Sequence, residues 1–336
     1  MPLSALVVGY DPVGSGIFGN PDSPTYEVGF NQVANGVNLN GEVMIEVFNG
    51  TFAATCTGSL LSDGVSILTA AHCLDPLAGP PSLVQVYFDQ GGNCGWYCGA
   101  YTVTNPADFF VDSGYIADDG EIGAGNDLAV IRLGSQAPAS ATRYSLYTGD
   151  SVDSIGDSLT DPIEVAGLGE SGQGSDQGGT YPAGTLRQGE FLYSGSCADV
   201  SVEATGACAT NSSSIAIAPF DPNSQLPDQV AIAPGDSGGG SFFNGQLVGV
   251  HEYVACNLSD CSITGGYASG DTFVGGANAA WIESVEADVP EPAPATFLAL
   301  GLAAGLLLRR RRGARPVTLS VPIRTVIRRV AMLLSE

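Results

Sequence analysis

Short apolar runs bounded by Gly, Ser, Thr, Asn and Asp recur along most of the chain. Examples are "SILTA" ahead of His72, "LAVIRL" from Leu128 and "LVGVHEYVA" from Leu247. Runs of this kind, punctuated by turn-forming residues, read as β-strands, and no helical heptad competes with them. The pattern predicts an all-β body. Two polar, glycine-rich stretches interrupt it. "SLYTGDSVDSIGDSLTD" (145–161) reads as a crossing between two β halves, and "GLGESGQGSDQGGTYPAG" (167–184) as a long surface loop.

Composition narrows the picture. The 336 residues give ample length to bury a core, and 44% hydrophobic against 14% charged residues suits a globular chain. The charge is unevenly placed. There is no Lys; the basic residues are eleven Arg, of which only Arg132, Arg143 and Arg187 precede Arg309. Of the 35 acidic residues only Glu291 and Glu336 lie beyond residue 288, which leaves residues 1–288 a net −30. A body with so little positive charge has nothing to neutralise phosphates, so nucleic acid is excluded as a partner. The surplus reads as a solvated acidic surface. "ADDGEIGAGND" (117–127) is rich in carboxylates, but its spacing is not that of a calcium loop.

Eight cysteines fall as sequence neighbours: Cys56 with Cys73, Cys94 with Cys98, Cys197 with Cys208, and Cys256 with Cys261. With His72 and His251 the only histidines, none of these spacings completes a zinc set. An even count in local pairs argues for disulfides and an oxidising compartment, with the neighbour scheme one of 105 formal pairings. No metal and no organic cofactor is implied.

The C-terminal region carries an address. "VPEPAPATFLALGLAAGLLLRRRR" (289–312) is a Pro-Glu-Pro turn, an apolar run from Ala295 to Leu308, and four arginines. The run would span roughly 21 Å as a helix, against about 30 Å of hydrocarbon in a bilayer. Basic clusters stay cytoplasmic, which places the acidic body outside. The whole string resembles the PEP-CTERM sorting signal of bacterial exported proteins, and that resemblance implies membrane insertion through residues 295–308 before processing by an exosortase. A basic, mildly amphipathic tail (313–336) follows. The opening "MPLSALVVGYDPVG" has no positive start and only a short apolar stretch, so it is not read as the signal peptide that export requires.

Candidate chemistry centres on "APGDSGGGSFF" (233–243). A serine hydroxyl is a poor nucleophile at neutral pH and needs a base within hydrogen-bond reach, itself oriented by a carboxylate. His72, in "SILTAAHCL", follows an apolar strand and precedes Cys73, which can be clipped to Cys56 in the adjacent "CTGSLLSDGVSIL". Asp127 heads the strand "DLAVIRL". By itself each has a plainer reading, a structural His and a turn-capping Asp.

Together these motifs resemble those of the trypsin/chymotrypsin family of serine proteases: Thr-Ala-Ala-His-Cys, the Asp-Leu-Ala-Val-Ile strand, and Gly-Asp-Ser-Gly-Gly, in the chain order His72, Asp127, Ser237. The resemblance implies two six-stranded Greek-key β-barrels with a cleft between them and a C-terminal helix, here "ANAAWIESV". It makes Ser237 the nucleophile, His72 the base and Asp127 its orienter, with the N–H groups of Gly235 and Ser237 as the oxyanion hole. Asp236 resembles the family residue that pairs with a newly cut N-terminus. No Arg or Lys occurs in residues 1–131, so a trypsin-type activating cut is impossible there, and the mature start is expected within "FNQVANGV" (30–37).

The specificity pocket implied by the resemblance has Ala231 at its floor, with His251, Glu252 and Tyr253 on its wall. An Arg- or Lys-selecting Asp is therefore absent. Glutamate-cleaving relatives carry a His in a similar context, but Glu252 and the acidic body disfavour acidic substrates, leaving a small or medium apolar side chain as the preferred reading. The expected organisation is an N-terminal extension (1–29), an N-terminal barrel (30–150), a C-terminal barrel and helix (151–288), the sorting segment (289–312) and the tail (313–336). The expected function is an exported serine endopeptidase acting on protein or peptide. Its competitor is a catalytically inactive protease-like surface module that binds protein or matrix.

Overall fold

A computed structural model describes residues 5–8, 28–34, 36–50, 53–74, 81–91, 99–116, 126–155, 161–172, 183–197, 215–219, 226, 229–255 and 268–287. Cys94, Cys98, Cys208, Cys256, Cys261, the acidic stretch 117–125 and everything from residue 288 onward lie outside them. The chain divides into a body, Met1–Ala287, and the remainder, Asp288–Glu336.

The strands in the body form where alternation or continuous apolar character predicts them. The first half contains β1 (Ala5–Val8), the small hairpin β2 (Val33–Ala34) and β3 (Val37–Asn38), then β4 (Glu42–Phe48), β5 (Ala53–Leu60) and β6 (Ser66–Thr69). A single helical turn, α1 (Ala71–Leu74), follows, then β7 (Leu83–Phe88), β8 (Ala100–Val103), β9 (Phe109–Val111) and β10 (Ala129–Arg132). Seven of these pair antiparallel in the order β8-β7-β4-β5-β6-β10-β9. β7 alternates cleanly: Val84, Val86 and Phe88 are buried, whereas Leu83, Gln85 and Tyr87 are partly exposed. A strand with one face on the core and one toward water has this period of two.

β5 breaks the alternation from Cys56 onward, where every residue is buried. Both of its faces are covered. Gly58 packs toward Ile45 and Ile67 of its own sheet, while Thr57 reaches across to the second half.

The second half contains β11 (Ile163–Gly167), β12 (Ser171–Gly172), β13 (Arg187–Phe191), β14 (Gly195–Ser196), β15 (Ile215–Pro219), β16 (Ile232–Ala233), β17 (Gly240–Phe243), β18 (Gln246–Ala255) and β19 (Ala268–Phe273). Its main sheet runs β13-β11-β17-β18-β19-β15-β14. β17 and β18 are joined by Asn244-Gly245, both at positive φ, the geometry of a two-residue hairpin turn whose twist matches its strands. The expectation of an all-β body built as two β-barrel halves with a C-terminal helix holds: two antiparallel sheets form half-barrels. Among the described residues each of the two main sheets has seven strands instead of the expected six, with the short β9 and β14 at their edges.

The chain changes sheets just after Tyr144. Tyr144 N–H donates to the Leu60 carbonyl at 2.9 Å, and Tyr147 N–H donates to the Leu247 carbonyl at 2.8 Å. The terminal helix α2 (Gly276–Ala287) returns to the first half, with Ile282 and Val285 in its core and the Val285 carbonyl accepting from Arg132 at 2.6 Å. Among the described residues no helix is long and apolar enough to cross a membrane.

Candidate active site

Register brings His72 and Asp127 together. β6 and β10 pair antiparallel with Thr69 opposite Ala129, so the chain leaving β6 and the chain entering β10 share one edge of the sheet. His72 lies three residues beyond Thr69 and Asp127 two before Ala129. The Asp127 carboxylate then accepts from the His72 backbone N–H through Oδ1 at 2.7 Å and meets the imidazole Nδ1 through Oδ2 at 2.5 Å. Two contacts fix both the position and the tilt of the ring. The disulfide Cys56–Cys73 ties α1 back to β5.

Exposure differs sharply within the pair. The Asp127 side chain is 6% exposed and that of His72 is 35% exposed, so the carboxylate is sealed while one edge of the imidazole faces the outside. Burial works to lower the pKa of His72, but the charge of Asp127 and its hydrogen bond outweigh burial and raise it above the ordinary value.

Ser237 sits in the turn between β16 and β17 and is 5% exposed. Thr57 of β5 fastens this turn from the first half: its N–H donates to the Ser237 carbonyl at 2.9 Å and its hydroxyl to the Gly235 carbonyl at 2.9 Å. Gly238, at φ +85°, lies against Thr69, Ala70 and the Thr57 carbonyl with no space for a Cβ. Cys73 Sγ is 3.7 Å from the Ser237 carbonyl oxygen. The serine turn is thus seated directly on the strand end and helical turn that carry His72. His72 and Ser237 do not hydrogen-bond to each other.

Gly235, at φ +92°, adopts the left-handed backbone that glycine tolerates without steric cost. Other amides in the turn are occupied: Asp236 N–H donates to Ala233, Gly238 N–H to His251 and Gly239 N–H to Asp236. Among the described residues the N–H groups of Gly235 and Ser237 have no backbone acceptor. They are the two donors that remain available.

The four residues expected at a pocket occupy different surroundings. Ala231 is buried in the core of the second half, and Tyr253 is buried with Ile215, Ile217 and Ala268, its ring crossing Gly270. His251 is fully buried, its Nδ1 2.9 Å from Asp271 Oδ1. Glu252 is partly buried and accepts from the Thr272 hydroxyl at 2.7 Å. Burial, and then the negative charge of Asp127, push Glu252 well above the usual carboxylate range. Of the four, Glu252 is the one electrostatically linked to the His72–Asp127 pair.

Three residues that organise the site were not singled out from sequence: Thr57, Glu42 and Asp271. Thr57 carries no sequence signal, because its role depends on a strand from the other half. Glu42 and Asp271 do carry one, a carboxylate inside an otherwise apolar or small-residue strand. Glu42 is fully buried, accepting from the Ser59 hydroxyl at 2.6 Å and from Gly240 N–H at 3.2 Å, and burial pushes its pKa up to about 8. Donor atoms of Cys56, His72 and Cys73 lie within 4.8 Å of one another, but both sulfurs are joined in the disulfide, so this trio offers no thiolate to a metal. Cys197 is also disulfide-bonded, to a partner outside the described residues.

Two antiparallel half-barrels, with a His–Asp pair on one and a serine turn of the other seated against it, define a chymotrypsin-like fold. Residues 32–273 match the trypsin family, and the chain belongs to that family. Among solved structures it is similar to the scabies mite inactivated protease paralogue S-I1, with a TM-score of 0.54 and 17% identity over 78% of this chain and 99% of that one. It is also similar to HL collagenase, with a TM-score of 0.52 and 17% identity over 77% and 96% of the two chains. A second scabies mite inactivated paralogue, S-D1, gives 0.53 and 16% over 79% and 100%. At these identities the likeness is one of fold. No curated protein sequence is detectably similar to the chain.

Proposed function

We propose that the chain is a serine endopeptidase. Ser237 Oγ attacks the carbonyl carbon of a peptide bond while its proton passes to His72 Nε2, and Asp127 holds the resulting imidazolium. The carbonyl oxygen becomes an oxyanion facing the N–H groups of Gly235 and Ser237. Collapse of this intermediate breaks the C–N bond, His72 returns the proton to the departing amine, and water repeats the sequence to release the acyl group. The observation that carries the reading is the two-point hold of His72 by Asp127 beside the turn bearing Ser237. Contacts between base and nucleophile in unliganded enzymes are commonly long and tighten with substrate, which accommodates the absent His72–Ser237 bond.

The substrate class is protein or peptide, without Arg or Lys preference, a reading that rests on the resemblance that aligns Ala231 with a selecting Asp and not on its buried place in the second core. The setting we propose is outside the bacterial cytoplasm, reached through the PEP-CTERM-like segment 289–312, and the Cys56–Cys73 disulfide suits such an oxidising compartment. A second reading, an inactive protease-like binding module, draws on the lack of a His72–Ser237 bond and on the two inactivated paralogues among the similar structures. Labelling by a fluorophosphonate separates them. The peptidase reading expects covalent labelling that is lost in Ser237→Ala, and the binding-module reading expects none.

A further inference from the structure

The buried groups beneath the serine turn form a second polar cluster that the proposed chemistry does not use. His251 brackets the turn with its backbone: its carbonyl accepts from Gly238 N–H at 2.8 Å, and its N–H donates to the Gly239 carbonyl at 2.9 Å. Its ring packs on the same residues, since a Cβ on Gly239 would lie 2.9 Å from both His251 Cδ2 and the Asp236 carbonyl oxygen. Nδ1 faces Asp271, whose other oxygen accepts from the Tyr193 hydroxyl at 2.6 Å and the Ser241 hydroxyl at 2.5 Å. Nε2 is buried without a hydrogen-bond partner among the described residues.

Asp236, between Gly235 and Ser237, is 1% exposed. Each of its carboxylate oxygens already has a donor: Gly169 N–H at 2.8 Å on Oδ1 and Ala233 N–H at 2.6 Å on Oδ2. Gly167 and Gly169 press so closely on the carboxyl that neither has room for a Cβ. β1 pairs parallel with β12 and antiparallel with β16, joining the two segments adjacent to those donors. The carboxylate is therefore enclosed by internal groups.

We propose that His251, paired with Asp271, is a positioning residue that sets the Ser237 turn from beneath, so that Asp236 is satisfied without an α-amino group from a cut chain end. This rests on the serine-peptidase reading above. The charged and titratable groups facing the cluster are Asp271, Tyr193, Asp236 and Glu42 around His251, with Arg187 acting on Asp236 and with Glu252 and Tyr253 interacting with Asp271. Burial works to lower the pKa of His251, and Asp271, then Asp236 and Glu42, overcome it and raise it. Positive charge on the imidazole, which these carboxylates favour, acts on Asp236 in the sense that an incoming ammonium would. Loss of that charge as pH rises through the raised value loosens the turn.

The absence of Lys makes the test clean, because an amine-acetylating reagent has only the α-amino group to modify. Fluorophosphonate labelling is measured against pH for the uncut chain before and after acetylation, for the chain cut within residues 30–37, and for His251→Gln. The expected result is labelling of the uncut chain that acetylation leaves intact, with an alkaline limb that is changed in His251→Gln. That variant labels about 100-fold more slowly, the cost of displacing a catalytic group by about 1 Å. Asp271→Asn gives a second variant with the same expectation, and the acetylation arm needs no variant at all. Loss of labelling on acetylation, labelling that appears only after the cut, or wild-type labelling and pH profile in His251→Gln would each overturn the inference. No labelling in any form, cut or uncut, overturns the peptidase reading first and this inference with it.

Discussion

The two halves of the site are built by different means. On the first half, His72 and Asp127 meet because adjacent antiparallel strands deliver them to one edge, and a disulfide across 17 residues holds the turn. On the second half, the serine turn, with its own buried Asp236, is held by groups farther away in sequence: Thr57 from the other sheet, and the buried ionisable residues His251, Asp271 and Glu42. Local register positions the base. Long-range polar burial positions the nucleophile. The first arrangement is fixed by strand register and a disulfide, whereas the second includes buried ionisable groups whose pKa values burial displaces.

Breaking the local half should have the largest effect. Asp127→Asn is expected to lower the rate of peptide hydrolysis by about 10⁴-fold, as the same change does in the triad template. Because His72 must be neutral to accept a proton, and Asp127 raises its pKa, wild-type labelling should rise with pH through a midpoint above the ordinary histidine value. In Asp127→Asn that midpoint moves down, and rapid-mixing labelling across pH measures both changes.

The disulfide comes next. Cys56→Ser with Cys73→Ser should cost about 3 kcal/mol in denaturant unfolding, the entropy of closing a loop of this length. Gly238→Ala attacks the seam between the halves, since it combines a positive φ with a clash against Thr57 and Thr69. It should cost about 2 kcal/mol by the same measurement and slow labelling as the turn lifts from His72.

The last test sharpens the contrast through pH. In the folded chain burial pushes Glu42 up to about 8 and Asp236 up to about 7, and His251 is raised as well. Folding therefore binds protons that the unfolded chain releases. The stabilisation from the two carboxyls is complete below their unfolded values near 4 and is lost as pH climbs through 7 and 8; that from His251 is lost as pH passes its raised value. The melting temperature should fall between pH 5.5 and 8.5, and Glu42→Gln should flatten that slope.

The same contrast explains what could be read in advance. Strand patterning and the residues flanking His72 and Asp127 are contiguous, so each motif and its strand follow from short stretches of sequence, whereas the edge they share comes from the pairing of β6 with β10 across 55 residues. The Gly-Asp-Ser-Gly-Gly turn is equally local. Its supports are not: the Thr57 contacts span more than 170 residues, and His251 depends on Asp271 across a bulged pair of strands. Reading His251 from its flanking Gly-aliphatic residues placed it on a pocket wall, whereas the strand pairing buries its ring under the serine turn. The seventh strand of each sheet escaped notice because two- or three-residue edge strands carry no periodicity.

The central claim is that Ser237 becomes covalently acylated with His72 as its base. The most direct measurement is acid-quench mass spectrometry of the chain mixed with a p-nitrophenyl ester, with the adduct mapped by peptide digestion. The account predicts a transient acyl group on Ser237, accompanied by a burst of nitrophenolate and absent in His72→Ala. A chain that releases no burst and carries no adduct on Ser237, or one that acylates equally well without His72, would contradict it.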